Sequence, residues 1–175
     1  MMKRLVFLIV TVLMAGSAFA QSSLPIDERT EKIAFKKVIP TQGSIEEVHN
    51  RIYSNFLNSY YKNVTSVLNQ TDETVFKGKH TFQLDNGDPV KSKWPWVTYH
   101  FTIEIRDGRV RYVLTDFMQK TQSAHPVEEW MNKEDPQYQP IWDSYLEQIA
   151  AFAKDWGTQF EEKLQPEKVI EEEEW

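Results

Sequence analysis

Between Trp96 and Gln119, apolar and polar residues alternate on both sides of Asp107-Gly108, a pattern that folds most simply as a long β-hairpin. Val97, Tyr99, Phe101, Ile103 and Ile105 recur before the turn, and Val110, Tyr112 and Leu114 after it. A period of two places each set on one face of a strand. Asp-Gly suits a two-residue turn, whose central positions need positive φ; glycine adopts this freely and aspartate tolerates it. The register is then fixed: Arg106 faces Arg109, Ile105 faces Val110, Glu104 faces Arg111, Ile103 faces Tyr112 and Phe101 faces Leu114. One face carries the apolar pairs, while the other carries Glu104/Arg111, a cross-strand pair of a kind worth roughly 0.2–1 kcal/mol. Slipping by one residue would turn Phe101, Ile103 and Ile105 to water, so the register is strongly specified. Continued to the open end of the hairpin, it sets Phe117 against Thr98 and places Trp96, His100 and Phe117 on the outer face.

The rest of the chain supplies partners for this hairpin. Lys32 to Ile39 reads as a strand, with Ile33 and Phe35 on one face and a bulge expected at Lys36-Lys37. Ser44 and Glu47 form a capping box, and Ile45, Val48, Ile52 and Phe56 come after it at helical spacing, so a helix starts there and fades between Tyr60 and Asn63. Ser66 to Gln70 is expected as a short strand. Val75 to Leu84 is expected as a longer one, with Phe76, His80, Phe82 and Leu84 sharing a face on which Gly78 leaves a gap. The segment from Asp85 to Pro95, rich in Gly, Pro and Asp, reads as a loop. Pro126 to Asn132 predicts a brief helical turn. From Ile141, the stripe Tyr145, Ile149, Phe152, Trp156, Phe160 predicts a second long helix.

The first residues point to export. Lys3-Arg4, an apolar run from Leu5 to Ala15 and the small-residue site Ala18-Phe19-Ala20 have the form of a secretory signal peptide spanning residues 1–20. A membrane anchor would need roughly 20 apolar residues, and polar Gln21-Ser22-Ser23 comes too soon for that. After cleavage the chain is not expected to be an integral membrane protein; it is expected as an exported protein, periplasmic or secreted. It contains no cysteine, so neither a disulfide framework nor a cysteine-linked lipid is possible. Without residues 1–20 it carries 18 basic and 26 acidic residues, a formal charge of −8. That charge opposes phosphate backbones, so nucleic acid is not an expected partner. Residues 21–164 are expected to form one domain, and residues 165–175, ending in Glu171 to Glu174 and Trp175, a solvated acidic tail.

Strand, helix, four strands, helix is an α+β order. Five antiparallel strands need cover on one face, which the two amphipathic helices supply, giving a curved five-stranded sheet of β-α-β(4)-α topology with both helices on one side. This is the TATA-binding-protein-like arrangement. The start Leu24-Pro25-Ile26-Asp27-Glu28-Arg29-Thr30-Glu31-Lys32-Ile33, the Lys77-Gly78-Lys79 strand, the run from Phe101 to Tyr112 and the close Thr115-Asp116-Phe117 carry a family resemblance. The chain resembles a domain-of-unknown-function family of that fold, small exported proteins typical of Bacteroides-type bacteria. The resemblance covers Leu24 to Gln119 well and the final helix loosely. The family pattern has glycine before Lys32, where this chain has Glu31. No family activity accompanies the resemblance, so it implies fold and compartment but no catalytic residue.

The side chains offer little chemistry. His49, His80, His100 and His125 form no close-spaced pair, so no metal and no cofactor is expected. His80 reads as a core histidine and His100 as a solvated one. The chain lacks a Gly-x-Ser-x-Gly elbow and a phosphate-cradling glycine loop, and Glu46-Glu47 and Glu128-Glu129 lie at helix starts, where the dipole favours acids. An enzyme is therefore not expected. The more informative feature is aromatic: Trp94, Trp96, His100 and Phe117 are the candidate binding residues, since exposed large aromatics mark recognition surfaces. The opposite expectation is that the loop or the segment from Ala124 to Trp130 folds over them as a satellite core. The leading reading is a non-enzymatic binding module of the cell envelope, its partner an envelope protein. The alternative, by fold-level analogy, is a carrier of a small apolar ligand held between the sheet and the C-terminal helix, with a hydrolase third.

Overall fold

The computed structural model describes residues 24–121, 123 and 125–166. The signal peptide expected at residues 1–20 lies outside them, as does the acidic segment after Pro166. The chain enters as a small hairpin, β1 (Ile26–Asp27) with β2 (Lys32–Ile33), Ile26 opposite Ile33. Asp27 closes its turn, its carboxylate accepting from the Arg29 and Thr30 amides at 3.1 and 3.2 Å. Glu31 takes a left-handed φ of 57°, the conformation for which glycine is the usual residue.

Ala34 separates this hairpin from β3 (Phe35–Pro40), which pairs with the later strand Arg109–Gln119 from Phe35↔Leu114 to Pro40↔Arg109 without interruption. The bulge expected at Lys36-Lys37 is absent. Lys37 instead occupies an inward position and reaches Glu161 of the C-terminal helix at 2.7 and 2.8 Å, so its long stem spans the sheet edge while its charge stays wet. Ser44 then caps α1 (Ile45–Arg51), its Oγ accepting from Glu47 N at 3.3 Å while Glu47 Oε2 accepts from Ser44 N at 2.7 Å. The helix widens to π geometry over Ile52–Leu57 before its last turn, α2 (Asn58–Tyr60). The i→i+5 spacing of that stretch brings Leu57 beneath Ile52, and both are fully buried.

The chain then makes another helical turn before its next strand. Asn63 accepts from Ser66 N at 3.3 Å and caps this single turn, α3 (Val64–Val67), which delays β4 to Leu68–Thr71. The remaining strands are β5 (Val75–Gln83), β6 (Trp96–Arg106), β7 (Arg109–Gln119) and the short β8 (His125–Pro126). A 3₁₀ turn (Val127–Met131) leads towards α4 (Ile141–Leu164), 24 residues long and thus about 36 Å. The strands form an antiparallel sheet in the order β3-β7-β6-β5-β4, with β8 joining β7 at Met118 and Gln119.

The hairpin register holds from Arg106↔Arg109 to His100↔Thr115 and then shifts, so that Thr98 faces Met118 rather than Phe117. Asp116, at a φ of 54°, is the extra residue; with Phe117 it opposes Tyr99 alone, which is a β-bulge. The expected outer placement of Phe117 is thereby corrected. The bulge turns it to the inner face, where it is fully buried against Tyr99 and Phe35.

The helices cover that inner face. Trp156 lies at the centre with no exposed surface, between Phe56, Tyr112 and Phe160. Its Nε1 donates to the Tyr61 hydroxyl at 2.9 Å, and Tyr61 meets the Tyr99 hydroxyl at 3.1 Å. Burial pushes the pKa of both hydroxyls far up, so they stay neutral, and the partners satisfy groups that would otherwise be costly to bury. Two glycines allow the closest approaches. A Cβ at Gly157 would stand 2.3 Å from the Tyr112 hydroxyl, and one at Gly78 would stand 2.3 Å from the Phe101 ring.

Candidate functional site

The strand period leaves a second surface on the side of the sheet away from the helices. Along β6 it presents Trp96, Thr98, His100, Thr102, Glu104 and Arg106, with Gln83, Thr81, Lys79 and Lys77 of β5 directly beside the first four. On the other flank Met118 faces Thr98 and Thr115 faces His100. Trp96 is 42% exposed, among the largest apolar groups open to solvent.

Trp94 and Trp96 have different surroundings although only Pro95 separates them. The loop before β6 folds on itself through aspartate-capped turns, Asp85 Oδ1 accepting from Gly87 N at 2.7 Å and Asp88 Oδ1 from Val90 N at 2.8 Å. Trp94 Nε1 donates to the Asp88 carbonyl at 2.8 Å, and the Lys91 ammonium stands 5.4 Å from its ring centre. Trp94 is therefore a half-buried closure of its own loop, and Trp96 the open one. In the segment after β7, the described residues Val127 and Trp130 are buried, with Trp130 stacked 6.1 Å from Trp142 at the start of α4, while Trp96 stays 42% exposed.

The bulge also builds a charged cluster. Asp116 accepts from Lys32 Nζ through one oxygen and from His100 Nδ1 at 3.2 Å through the other. Partial burial pushes its carboxyl pKa up, but the hydrogen bonds and charges of Lys32 and His100 outweigh this and hold it below the usual carboxylate range. Its ionised form adds stability above that range, and this contribution is lost as pH falls through the lowered pKa. Thr115 Oγ1 donates to the Ile33 carbonyl at 3.1 Å, and Ile33 N donates to Glu128 Oε1 at 2.8 Å. The N-terminal hairpin is thus fastened to the bulge, and His100 is oriented rather than free.

Of the expected site residues, the structure brings Trp96 and His100 to one face, four positions apart on β6; Trp94 borders it and Phe117 leaves it. Asp116 and Lys32 are the members that sequence reasoning missed. The signal was present: apolar residues at 110, 112 and 114 are succeeded by the next inward one at 117, a spacing of three that marks one extra residue. His49 stacks on Phe76 at 4.5 Å and His125 lies 3.7 Å from Glu129, so the four histidines stand on separate elements. An exposed indole at one end of a face of hydroxyl, amide and cationic groups is an arrangement for recognition, the aromatic body giving contact area and the polar groups orientation. Among the described residues no helix is long and apolar enough to cross a membrane.

A large antiparallel sheet with helices packed on one face defines an α+β protein of the TATA-binding-protein-like fold. It is similar to a DUF4468 family protein from Bacteroides ovatus, with a TM-score of 0.62 and 16% identity over 82% of this chain and 91% of that one. It is also similar to a TBP-like protein from Parabacteroides distasonis, with a TM-score of 0.53 and 14% identity over 77% of this chain and 97% of that one. Both agree with the fold that the family resemblance implied. No protein-family model and no curated protein matches the sequence.

Proposed function

We propose that the protein is a non-enzymatic binding module of the cell envelope that engages a partner protein across the outer sheet face around Trp96. The observation that carries this reading is the exposure of Trp96 on a face that none of the described helices covers, a face that further along β6 also carries a histidine held in place by Asp116. Large aromatics with a polar rim are the groups that dominate binding energies when a partner excludes water from them. A carrier of an apolar ligand would need room between the sheet and α4, where Trp156, Tyr99, Phe101 and Phe160 interlock with at most 1% exposure. That packing supports the surface reading over the cavity reading.

The test compares native protein with Trp96→Ala and His100→Ala as bait against envelope extract. The variants are expected to stay folded, with unfolding midpoints close to the native one, and to lose the captured partner. An unchanged set of captured proteins with Trp96→Ala would remove the outer face from consideration.

A further inference from the structure

At the end of the outer face opposite Trp96, the hairpin sets two like charges directly across from each other, Arg106 and Arg109. Such a pair is destabilising unless something neutralises it. Arg111 stands one outward position further in and is joined to Glu104 at 2.8 Å. Among the described residues Arg106 and Arg109 have no carboxylate partner. With Val38, which is 53% exposed on β3, these side chains line a surface hollow of about 140 Å³. Among the described residues this facing pair stands unneutralised, on a chain whose formal charge is −6 and which therefore has acidic groups to spare.

The C-terminal end of α4 is fastened close by. Arg51 donates from Nη1 to the Leu164 carbonyl at 2.9 Å and from Nη2 to the Gln42 carbonyl, and Pro166 and Gln42 line one hollow. Thr41, next to Gln42, donates its amide to the Gly108 carbonyl at 3.0 Å, immediately before Arg109. The sequence after Pro166 reads Glu167, Lys168, Val169, Ile170 and then four consecutive glutamates, Glu171 to Glu174. Nine residues can span about 30 Å when extended, ample for the short way from Pro166 past Gln42 and Gly108 to the arginines.

We propose that the arginine strip is a docking site for the chain's own acidic run, with glutamates of Glu171–Glu174 paired to Arg106 and Arg109 and the hollow over Val38 lying beneath them. Guanidinium and carboxylate match in geometry and can bond through two parallel hydrogen bonds. One exposed ion pair is worth little, but a tether this short holds the run at an effective concentration on the order of millimolar, and several glutamates share two unpaired cations. The docking concerns the end of β6 away from Trp96, so it stands or falls independently of the binding role of that tryptophan.

The experiment uses the full chain and measures the rate at which a glutamate-specific protease cuts within Glu171–Glu174. Arg106→Glu/Arg109→Glu is expected to raise that rate roughly tenfold, because cutting tracks the population of the undocked run. Raising NaCl from about 0.05 M to about 0.5 M, which screens exposed pairs, is expected to do the same in the native chain and little in the variant. In a second readout, replacing Glu171 to Glu174 with glutamine should shift the Nε–Hε resonances of Arg106 and Arg109 and leave the Trp96 indole signal in place. Equal cutting rates for native and variant chains, or arginine resonances indifferent to the glutamine run, would overturn the proposal. Protection that disappears on dilution would also overturn it, since the occupant would then be a second copy.

Discussion

The two faces of β6 and β7 are made by the same backbone and differ in almost everything else. Inward, Val97, Tyr99, Phe101, Ile103 and Ile105 are all at most 3% exposed and meet α4 and the helix over Ile45 to Tyr60. Outward, indole, hydroxyl, imidazole, carboxylate and guanidinium groups succeed one another along the strand with none of the described helices over them. Volume decides what can stand on the inner face, since interiors are close-packed and every methylene is felt. The outer face carries no such constraint, so the composition there has to be explained by charge and by contact with something else. The boundary between the two is drawn by one residue: Asp116 in its left-handed conformation sends Phe117 in and keeps its own carboxylate out. Lys32, which comes directly after Glu31, the other non-glycine residue of positive φ among the described residues, is the cation bonded to it. Conformations of this kind persist only where surrounding contacts over-determine them, and here each of the two supports the other.

The largest test of the contrast exchanges aromatics across the boundary. Phe117→Ala is expected to lower unfolding stability by about 3–5 kcal/mol, the usual cost of deleting a buried phenylalanine, whereas Trp96→Ala should cost less than about 1 kcal/mol, as surface changes generally do. Denaturant titration of both variants measures this. Equal losses would mean that the bulge does not divide the faces as described.

That same boundary marks how far the sequence can be read. Period-two alternation, an Asp-Gly turn and a capping box are local rules, and they locate the hairpin, the helix from Ser44 and the long final helix. The failures fall where a local rule meets a neighbour. The strand expected from Ser66 begins two residues later because Asn63 caps a helical turn first. Lys36-Lys37 reads as a bulge because two lysines are adjacent, yet Lys37 points inward to reach Glu161, a partner 124 positions away. Extending a constant register through an irregular strand misplaces Phe117. Of the candidate site, Trp96 and His100 are legible from alternation alone, but Asp116 and Lys32 come together over a separation of 84 residues that no local pattern reports.

A middle-sized effect probes the inner face where it has least room. A Cβ at Gly78 would lie 2.3 Å from the Phe101 ring and 2.8 Å from the Val67 carbonyl. Gly78→Ala is therefore expected to destabilise by about 1–3 kcal/mol, as overpacking does, despite the better strand propensity of alanine. Combining it with Phe101→Leu should cost less than the sum of the two single changes, because the smaller side chain vacates the contact; a double-mutant cycle measures that coupling. Strict additivity would show that the backbone at Val67, not the ring, sets the limit.

The smallest effect concerns His80, a histidine on the aromatic inner face. It stands opposite Tyr99 on β6, its ring 5.0 Å from that of Tyr61, at the rim of a hollow that Lys62 also lines. Burial disfavours the imidazolium and lowers its pKa from the ordinary 6.5. The unfolded chain therefore binds the proton more readily than the folded one, and stability must fall as pH drops below about 6.5 until the folded histidine is itself protonated. The two tyrosines that face it stay neutral throughout this range, so they add no slope of their own. His80→Gln removes the titrating group, and its unfolding midpoint measured from pH 8 down to pH 5 should fall less steeply than that of the native chain. His100→Gln, on the other face, serves as the control and should leave the slope in place. A slope that is unchanged in His80→Gln would mean that His80 is not the half-buried titrating group described.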